Sequence, residues 1–123
     1  MSKVRVDIFR KANGQVPLMT WFNSQSQETR EKAIGLAKQL KEKGHELGMP
    51  AAKFLRDDIW ELRVIVRRVQ HRILYTFAKE RVVLLTHGLT KESIVPPEEI
   101  DKAIRYTKEY LQNPKKHTHR IYR

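Results

Sequence analysis

Four arginines stand close together in residues 61–77, ELRVIVRRVQHRILYTF, a segment whose apolar residues predict two strands. Because side chains alternate between the two faces of a strand, Arg63, Arg67 and Arg72 are predicted to share one face of a sheet. Arg68 falls at the predicted hairpin. Like charges that face one another on adjacent strands destabilise a sheet, and the forked guanidinium group binds phosphate through paired hydrogen bonds. The pattern therefore predicts a surface that binds a phosphate-bearing polyanion.

The alternative is structural, because an antiparallel sheet commonly exposes one face to water and single arginines are frequent there. The cluster favours a function, since residues 59–79 hold five Lys or Arg residues and one acid, Glu61. His87 and Lys91 follow where the chain leaves the third of the predicted central strands. Taken singly, each is more typical of a solvated surface than of a catalytic site.

Strand patterns surround these residues. Alternation predicts one strand at residues 4–10 and three more at 59–66, 71–78 and 81–87. The connections between the last three are short, which implies an antiparallel meander rather than parallel crossovers.

Helical patterns fill the remaining chain. Spacings of three and four residues predict a short helix from Pro17, a longer one over residues 28–43 and a last one that starts near Pro97. The predicted buried face of the last helix consists of Ile100, Ala103, Ile104, Thr107 and Leu111. The segment GHELGMPAAKFL, residues 44–55, carries little regular signal. The order β-α-α-β-β-β-α is typical of an α+β fold, and its simplest packing is one antiparallel sheet with helices on one face.

Length, charge and amino-acid composition limit the class of protein. A length of 123 residues favours one domain, predicted at residues 1–112, followed by a basic and mobile tail at 113–123. A formal net charge of +11 predicts attraction to polyanions, nucleic acid first and an anionic membrane second. The absence of cysteine excludes a disulfide framework and a thiol nucleophile. No secretory signal or membrane span is visible, so a soluble, cytoplasmic protein is expected.

Four segments together resemble the HigB-like branch of the RelE/ParE toxin superfamily. They are LRDDIWELRV, HRILYTF, VVLLTHGLTKES and VPPEEIDKA, all within residues 55–104. The resemblance implies a small curved antiparallel sheet with helices on one side. It also implies a type II toxin that cuts mRNA on the ribosome and is neutralised by an antitoxin, often of the helix-turn-helix type.

The resemblance further implies roles for particular residues. Arg63 and Arg72 would hold the scissile phosphate, Lys91 would add a third cation, and His87 would transfer a proton. His71 is an alternative for proton transfer, whereas Tyr75 is expected in the core. Arg67, Arg68 and Lys79 are predicted to bind RNA. No metal or small-molecule cofactor is expected, and the His117–His119 pair has no third ligand nearby.

Departures from the branch pattern keep other functions open. Glu92 stands where the branch usually has lysine, Leu89 replaces a phenylalanine, and His71 replaces a tyrosine. The charge reversal at Glu92 could weaken cleavage. A toxin of the same fold that acts on DNA gyrase, and an inactive basic nucleic-acid-binding module, are therefore the alternatives.

Overall fold

Six strands form one mixed sheet in the computed structural model, which describes residues 3–90 and 94–119. In chain order the elements are β1 (Arg5–Phe9), α1 (Pro17–Asn23), α2 (Gln27–Lys43), a 3-10 turn (Gly44–Glu46), β2 (Ala52–Arg56), β3 (Ile59–Val66), β4 (Val69–Lys79), β5 (Val82–Thr90), α3 (Pro97–Gln112) and β6 (Thr118–His119). The strands lie side by side in the order β2-β3-β4-β5-β1-β6. Within the described ranges, no helix is both long and apolar enough to cross a membrane.

Strands β2 to β5 form an antiparallel meander. Tight turns connect them, and the turn residues Asp57, Asp58, Arg67, Arg68 and Arg81 all have positive φ angles. Two consecutive residues with positive φ are typical of the turns that match the twist of a hairpin. The predicted α+β class and the predicted meander are therefore confirmed.

The sheet differs from the prediction in one pairing, because β1 runs parallel to β5. The rule that short connections give antiparallel neighbours does not apply to this pair, since two helices and three strands separate β1 from β5 along the chain. The sheet is mixed rather than purely antiparallel.

Helices cover both faces of the sheet, whereas the prediction placed them on one. Helices α1 and α2 pack on the face that carries Leu62 and Ile73. Helix α3 packs through Ile100 and Ala103 on the opposite face, which carries Leu74. An amphipathic pattern identifies the buried side of a helix, but it does not identify which face of the sheet receives that side.

Helix α3 buries a different set of residues from the predicted one. Its buried residues are Ile100, Ala103, Tyr106 and Tyr110. The ring of Tyr106 stacks on Phe9 with centroids 4.4 Å apart, and the Tyr110 hydroxyl donates a 2.7 Å hydrogen bond to Asp7. Leu111, which was predicted to be buried, is 45% exposed.

Two further segments are more ordered than the sequence indicated. Residues 52–56 form strand β2 at the sheet edge, although the segment 44–55 carries little regular signal in the sequence. The first part of the predicted tail packs on the domain, because β6 pairs with β1 and the buried His117 ring lies 5.6 Å from that of Phe9.

Candidate functional site

Arg63 and Arg72 lie directly opposite each other on β3 and β4, so the predicted adjacency of the two arginines is observed. Glu61 lies on the same face, two residues before Arg63. Its carboxylate contacts both guanidinium groups, with 2.6 Å from Oε1 to Arg72 Nε and 3.8 Å from Oε2 to Arg63 Nε. Arg72 also donates a 2.8 Å hydrogen bond from Nη2 to Gln70 Oε1. One acid therefore fixes two arginine side chains that would otherwise repel each other.

Burial distinguishes the two arginines. The side chains of Arg72 and Glu61 are 6% and 4% exposed, whereas that of Arg63 is 22% exposed. The Arg63 Nε atom is buried, and no described residue accepts a hydrogen bond from it. Arg72 is thus part of the framework of the site, while Arg63 is the arginine with more access to solvent.

These residues line a cavity of about 440 Å³, called the arginine pocket below. Its sheet side consists of Glu61, Arg63, Gln70, Arg72 and the neighbouring β2 strand. Its other side consists of Ile94, Val95 and Ile100, which precede or open α3. Among the described lining residues there are four cations, Lys53, Arg56, Arg63 and Arg72, and one acid, Glu61. A concave surface with this excess of positive charge is suited to an anion such as a phosphate group.

The other arginines of the cluster lie elsewhere. Arg67 was predicted to share a face with Arg63 and Arg72, but it occupies the β3–β4 turn, where the strand alternation ends. Its side chain is 82% exposed and its Nε atom lies 2.9 Å from the Glu28 carboxylate of α2. Arg68 is exposed in the same turn. Arg67 and Arg68 therefore do not line the arginine pocket.

Lys79 lies at the far end of β4, on the opposite end of the strand from Gln70 and Arg72. Its ammonium group lies 5.6 Å from the centre of the Tyr110 ring. The predicted role of Lys79 in RNA binding stays a prediction, at a place separate from the arginine pocket.

His87 shares a sheet face with Arg72 but lines a different cavity. It pairs with Leu74 of β4, whereas the β5 neighbour of Arg72 is Leu89. Both leucines belong to the apolar cluster beneath α3. The cavity beside His87 has a volume of about 540 Å³ and is lined by residues of α1, β5 and α3 and by Lys11, Gln15 and Ser24.

Hydrogen bonds fix the buried His87 ring on both sides. Its Nε2 atom lies 2.9 Å from Glu99 Oε1, and its Nδ1 atom lies 3.1 Å from the Thr86 hydroxyl. Burial lowers the pKa of His87, although the hydrogen bond and the charge of Glu99 oppose that shift, and Lys102 adds to it. Partial burial would raise the pKa of Glu99, but the hydrogen bond from His87 and the charge of Lys102 lower it overall. His87 thus connects β5 to the first turn of α3.

His71, the alternative for proton transfer, lies on the sheet face that packs against α1 and α2. It is buried, its Nδ1 atom lies 2.8 Å from the Thr90 hydroxyl, and the Trp21 ring contacts it edge-on. Burial lowers its pKa. It is therefore separated from the arginine pocket by the thickness of the sheet. Tyr75 is fully buried on the same face, as expected.

Lys91, the predicted third cation, and Glu92 lie outside the described residues. The sequence did not predict roles for Glu61 and Glu99. The position of Glu61 was predictable, since alternation places it on the same face as Arg63. Its role as a counter-ion of the arginines was not predicted, because it was treated only as the one acid among five basic residues. The signal for Glu99 was absent, because only the docking of α3 brings it to His87.

The fold and the pocket define a small basic α+β protein with a cation-lined cavity for an anionic group. The model of the family described as phage-derived protein Gp49-like (DUF891) matches residues 20–108, and the chain belongs to this family. The Gp49-like family is a toxin-like family of the RelE/HigB type found in toxin–antitoxin systems. The match includes Glu61, Arg63, Arg72 and His87. No curated protein matches the chain.

Proposed function

We propose that the protein is the toxin of a type II toxin–antitoxin system and that it cleaves mRNA on the ribosome without a metal ion. The observation that carries the proposal is the pairing of Arg63 with Arg72 across β3 and β4, with Glu61 buried between them. Membership of a toxin-like family and a net charge of +11 support it.

In this proposal Arg63 is the main ligand of the scissile phosphate. It is the more accessible of the two arginines, and its buried Nε atom lies 3.8 Å from Glu61 Oε2 without making a hydrogen bond among the described residues. Arg72 adds a second positive charge from the floor of the pocket. Two fixed cations stabilise the extra negative charge that develops on the phosphate oxygens during cleavage.

The nucleophile in such a reaction is the ribose 2′-hydroxyl next to the scissile phosphate. It loses its proton to a base, attacks phosphorus and expels the 5′-oxygen, which takes a proton from an acid. Of the described residues that line the arginine pocket, Glu61 alone carries a carboxylate that can accept a proton. Its side chain is 4% exposed and paired with both arginines, so we assign Glu61 the role of counter-ion rather than that of the base. The need for a 2′-hydroxyl makes RNA, and not DNA, the substrate.

The role of His87 changes in this proposal. Its ring is buried, bonded on both sides, and directed into the cavity next to α1 and α3. We propose that it positions α3, whose first turn contributes Ile100 to the wall of the arginine pocket. The role of Lys91 as a further cation rests on the resemblance and lies outside the described residues.

The experiment that tests the function is induced expression in a bacterial host, followed by primer extension on abundant mRNAs. We expect growth arrest and new 5′ ends at fixed positions within codons, seen only where translation proceeds. Arg63→Ala should remove both effects while the protein still accumulates in folded form.

The two alternatives predict other outcomes. Intact mRNA together with DNA breaks during growth arrest would indicate action on gyrase. Tight RNA binding that weakens steeply with salt, without cleavage even on ribosomes, would indicate an inactive binding module. Either result would overturn the assignment of an endoribonuclease.

A further inference from the structure

The cavity beside His87 lies where β5 extends past the end of β1. Strand β1 pairs with β5 as far as Leu85, whereas β4 pairs with β5 as far as Thr90. Within the ranges that the structure describes, residues 86–90 therefore have no strand beside them on the β1 side. Residues of α1 and α3 form the walls of the cavity, and residues of β5 line it between them. We call this feature the β5-edge cavity.

A β-bulge directs His87 into this cavity. Leu74 of β4 pairs with His87. The next residue of β4, Tyr75, pairs with Leu85, so Thr86 is an extra residue in β5. Without the bulge, alternation would place His87 on the face of Leu85, which packs under α1 and α2. Bulges often change the direction of a side chain next to a functional site, and this one turns a polar ring towards α3.

Positive charge exceeds negative charge in the cavity. Its charged lining residues are two lysines, Lys11 and Lys102, and one acid, Glu99. Burial lowers the pKa of His87 below 6.5, so its ring is neutral at neutral pH. The Lys102 ammonium lies 3.4 Å from Glu99 Oε1, whereas Lys11 forms no ion pair with any residue in the described part of the chain. The cavity therefore suits a ligand that carries a negatively charged group.

The Glu99 carboxylate retains an acceptor for a ligand. Its Oε1 atom lies 2.9 Å from the His87 ring and also contacts Lys102. Its Oε2 atom makes no hydrogen bond with a described residue, and the side chain is 24% exposed. A carboxylate that the protein holds through one oxygen can accept a hydrogen bond from a ligand hydroxyl through the other, as carboxylates do when they bind ribose.

The size and the lining of the cavity narrow the class of ligand. Small-molecule sites have volumes of roughly 300–1,000 Å³ and combine apolar walls with a few polar groups. The β5-edge cavity, at about 540 Å³, has apolar walls from Pro17, Trp21 and Leu89 beside the polar residues Thr20 and Ser24. An inorganic phosphate would leave most of this volume empty. The described residues contain no group of three His, Asp or Glu side chains that could hold a metal ion.

The edge of β5 adds backbone groups to the cavity. The N–H and C=O groups of one strand residue point to the same edge, and those of the next residue point to the opposite edge. Residues 86–90 therefore present a hydrogen-bond donor and an acceptor side by side towards the missing neighbour strand. A nucleobase also carries donors and acceptors side by side along its Watson–Crick edge, so it is complementary to a strand edge of this kind.

We infer that the β5-edge cavity binds a ribonucleotide. The base would form hydrogen bonds with the edge of β5, a ribose hydroxyl would donate to Glu99 Oε2, and the phosphate would lie near Lys11. A ribonucleotide can come from two sources, a free nucleotide or one unit of an RNA strand. The inference does not depend on the proposed cleavage of mRNA, because the cavity is separate from the arginine pocket: Glu99 lines the former and Ile100 the latter.

The test is a titration of the purified full-length chain with the nucleoside 5′-monophosphates AMP, GMP, CMP and UMP. The chain has two tryptophans, so Trp60→Phe leaves Trp21, which lines the cavity, as the only source of tryptophan fluorescence. We expect a saturable change in this fluorescence, with a dissociation constant below about 1 mM for at least one nucleotide. Equilibrium dialysis with the wild-type chain measures the same affinity without relying on the tryptophan.

Changes to the ligand test each part of the inference. Ribose 5-phosphate and inorganic phosphate lack the base and should bind at least about tenfold more weakly than the nucleotide. The 2′,3′-dideoxy form of the nucleotide lacks the hydroxyls that can donate to Glu99. It should bind about tenfold more weakly, as expected for the loss of a hydrogen bond to a charged group.

Variants of the chain locate the site. Lys11→Ala removes the unpaired cation, and Thr20→Tyr places a larger side chain at an exposed position of the lining. Each should weaken binding at least about tenfold. The control is Lys108→Ala, which removes an exposed lysine of α3 away from the cavity and should leave the affinity unchanged. The inference is overturned if no nucleotide binds in either assay, if inorganic phosphate binds as tightly, or if Lys11→Ala and Thr20→Tyr both bind like the wild type.

The Arg63→Ala background separates this inference from the proposed function and identifies the source of the nucleotide. This variant should bind the mononucleotide with wild-type affinity, because Arg63 lies in the arginine pocket. A hexaribonucleotide that displaces the mononucleotide from it would identify an RNA strand as the source, and one that does not would identify the free nucleotide. Nucleotide binding without mRNA cleavage would refute the nuclease alone, and cleavage without nucleotide binding would refute the β5-edge site alone.

Discussion

The carboxylate of Glu61 and the guanidinium of Arg72 form a buried ion pair across β3 and β4, with 2.6 Å between Oε1 and Nε. Arg63 shares the same carboxylate at 3.8 Å. A buried charge is costly unless it is paired, so the acid that lowers the positive charge of the cluster also stabilises it.

Removal of this acid should destabilise the fold. Glu61→Ala removes the carboxylate that pairs with the buried Arg72 at 2.6 Å, and breaking such a pair from one side costs about 3–5 kcal/mol in free energy of unfolding. Urea denaturation followed by tryptophan fluorescence measures the change. The control is Glu28→Ala, which breaks the exposed Glu28–Arg67 pair and should leave the unfolding midpoint almost unchanged. Equal effects of the two substitutions would contradict the role of Glu61.

Gly88 should tolerate no side chain. A Cβ atom there would lie 2.4 Å from Cδ2 of Trp21, so the indole would have to leave its place on β5. Gly88→Ala should cost about 1–3 kcal/mol, typical of overpacking, and should change the near-ultraviolet circular dichroism of tryptophan. Gly35→Ala is the matched control, because the added Cβ meets no atom within 4 Å apart from its own helix backbone and chain neighbours, and α2 is helical there. It should stabilise the protein by roughly 0.5–1 kcal/mol. Insensitivity at Gly88 would show that Trp21 does not pack as described.

Stability should fall as the pH drops below neutrality, in part because of His87. Burial, opposed by Glu99, lowers the pKa of His87 below the ordinary 6.5. Between that lowered value and about 6.5 the unfolded chain binds more protons than the folded chain, so unfolding becomes easier as the pH falls through this window. His71 contributes with the same sign.

His87→Gln isolates the contribution of His87. The difference in free energy of unfolding between wild type and variant, taken from urea curves between about pH 7.5 and 5.5, should shrink as the pH falls. His71 is present in both proteins and cancels. A difference that is constant with pH would contradict a buried, neutral His87 in the folded protein.

Local alternation predicted much of the candidate site. It placed Arg63 and Arg72 side by side because both lie within regular strands whose hairpin preserves the register. It failed at Arg67, where the two-residue turn begins and side-chain direction depends on positive φ angles rather than on alternation. Alternation made no prediction for the cavity that His87 enters, because a third element, α3, decides it.

Long-range packing accounts for the other differences. The parallel pairing of β1 with β5 and the packing of α3 on the second face of the sheet both depend on contacts between elements that are far apart in the chain. Local sequence patterns do not predict such contacts. The start of the tail is basic in sequence, yet His117 is buried because its ring stacks on Phe9 and its Nδ1 atom lies 2.8 Å from the Arg10 carbonyl oxygen. The composition of a segment indicates its average polarity. It does not reveal the few contacts that hold the segment against the domain.

The most direct test of the proposed function is the rate of mRNA cleavage on purified translating ribosomes by two single-arginine variants. Arg63→Ala removes the accessible guanidinium of the arginine pocket, while Arg67→Ala removes an equal charge from the adjacent turn. We expect cleavage by Arg63→Ala to fall by at least about a hundredfold, in line with the loss of one donor to a transition-state oxyanion, with Arg67→Ala close to wild type. Wild-type cleavage by a folded Arg63→Ala protein, or equal losses in both variants, would contradict the assignment of the arginine pocket as the active site.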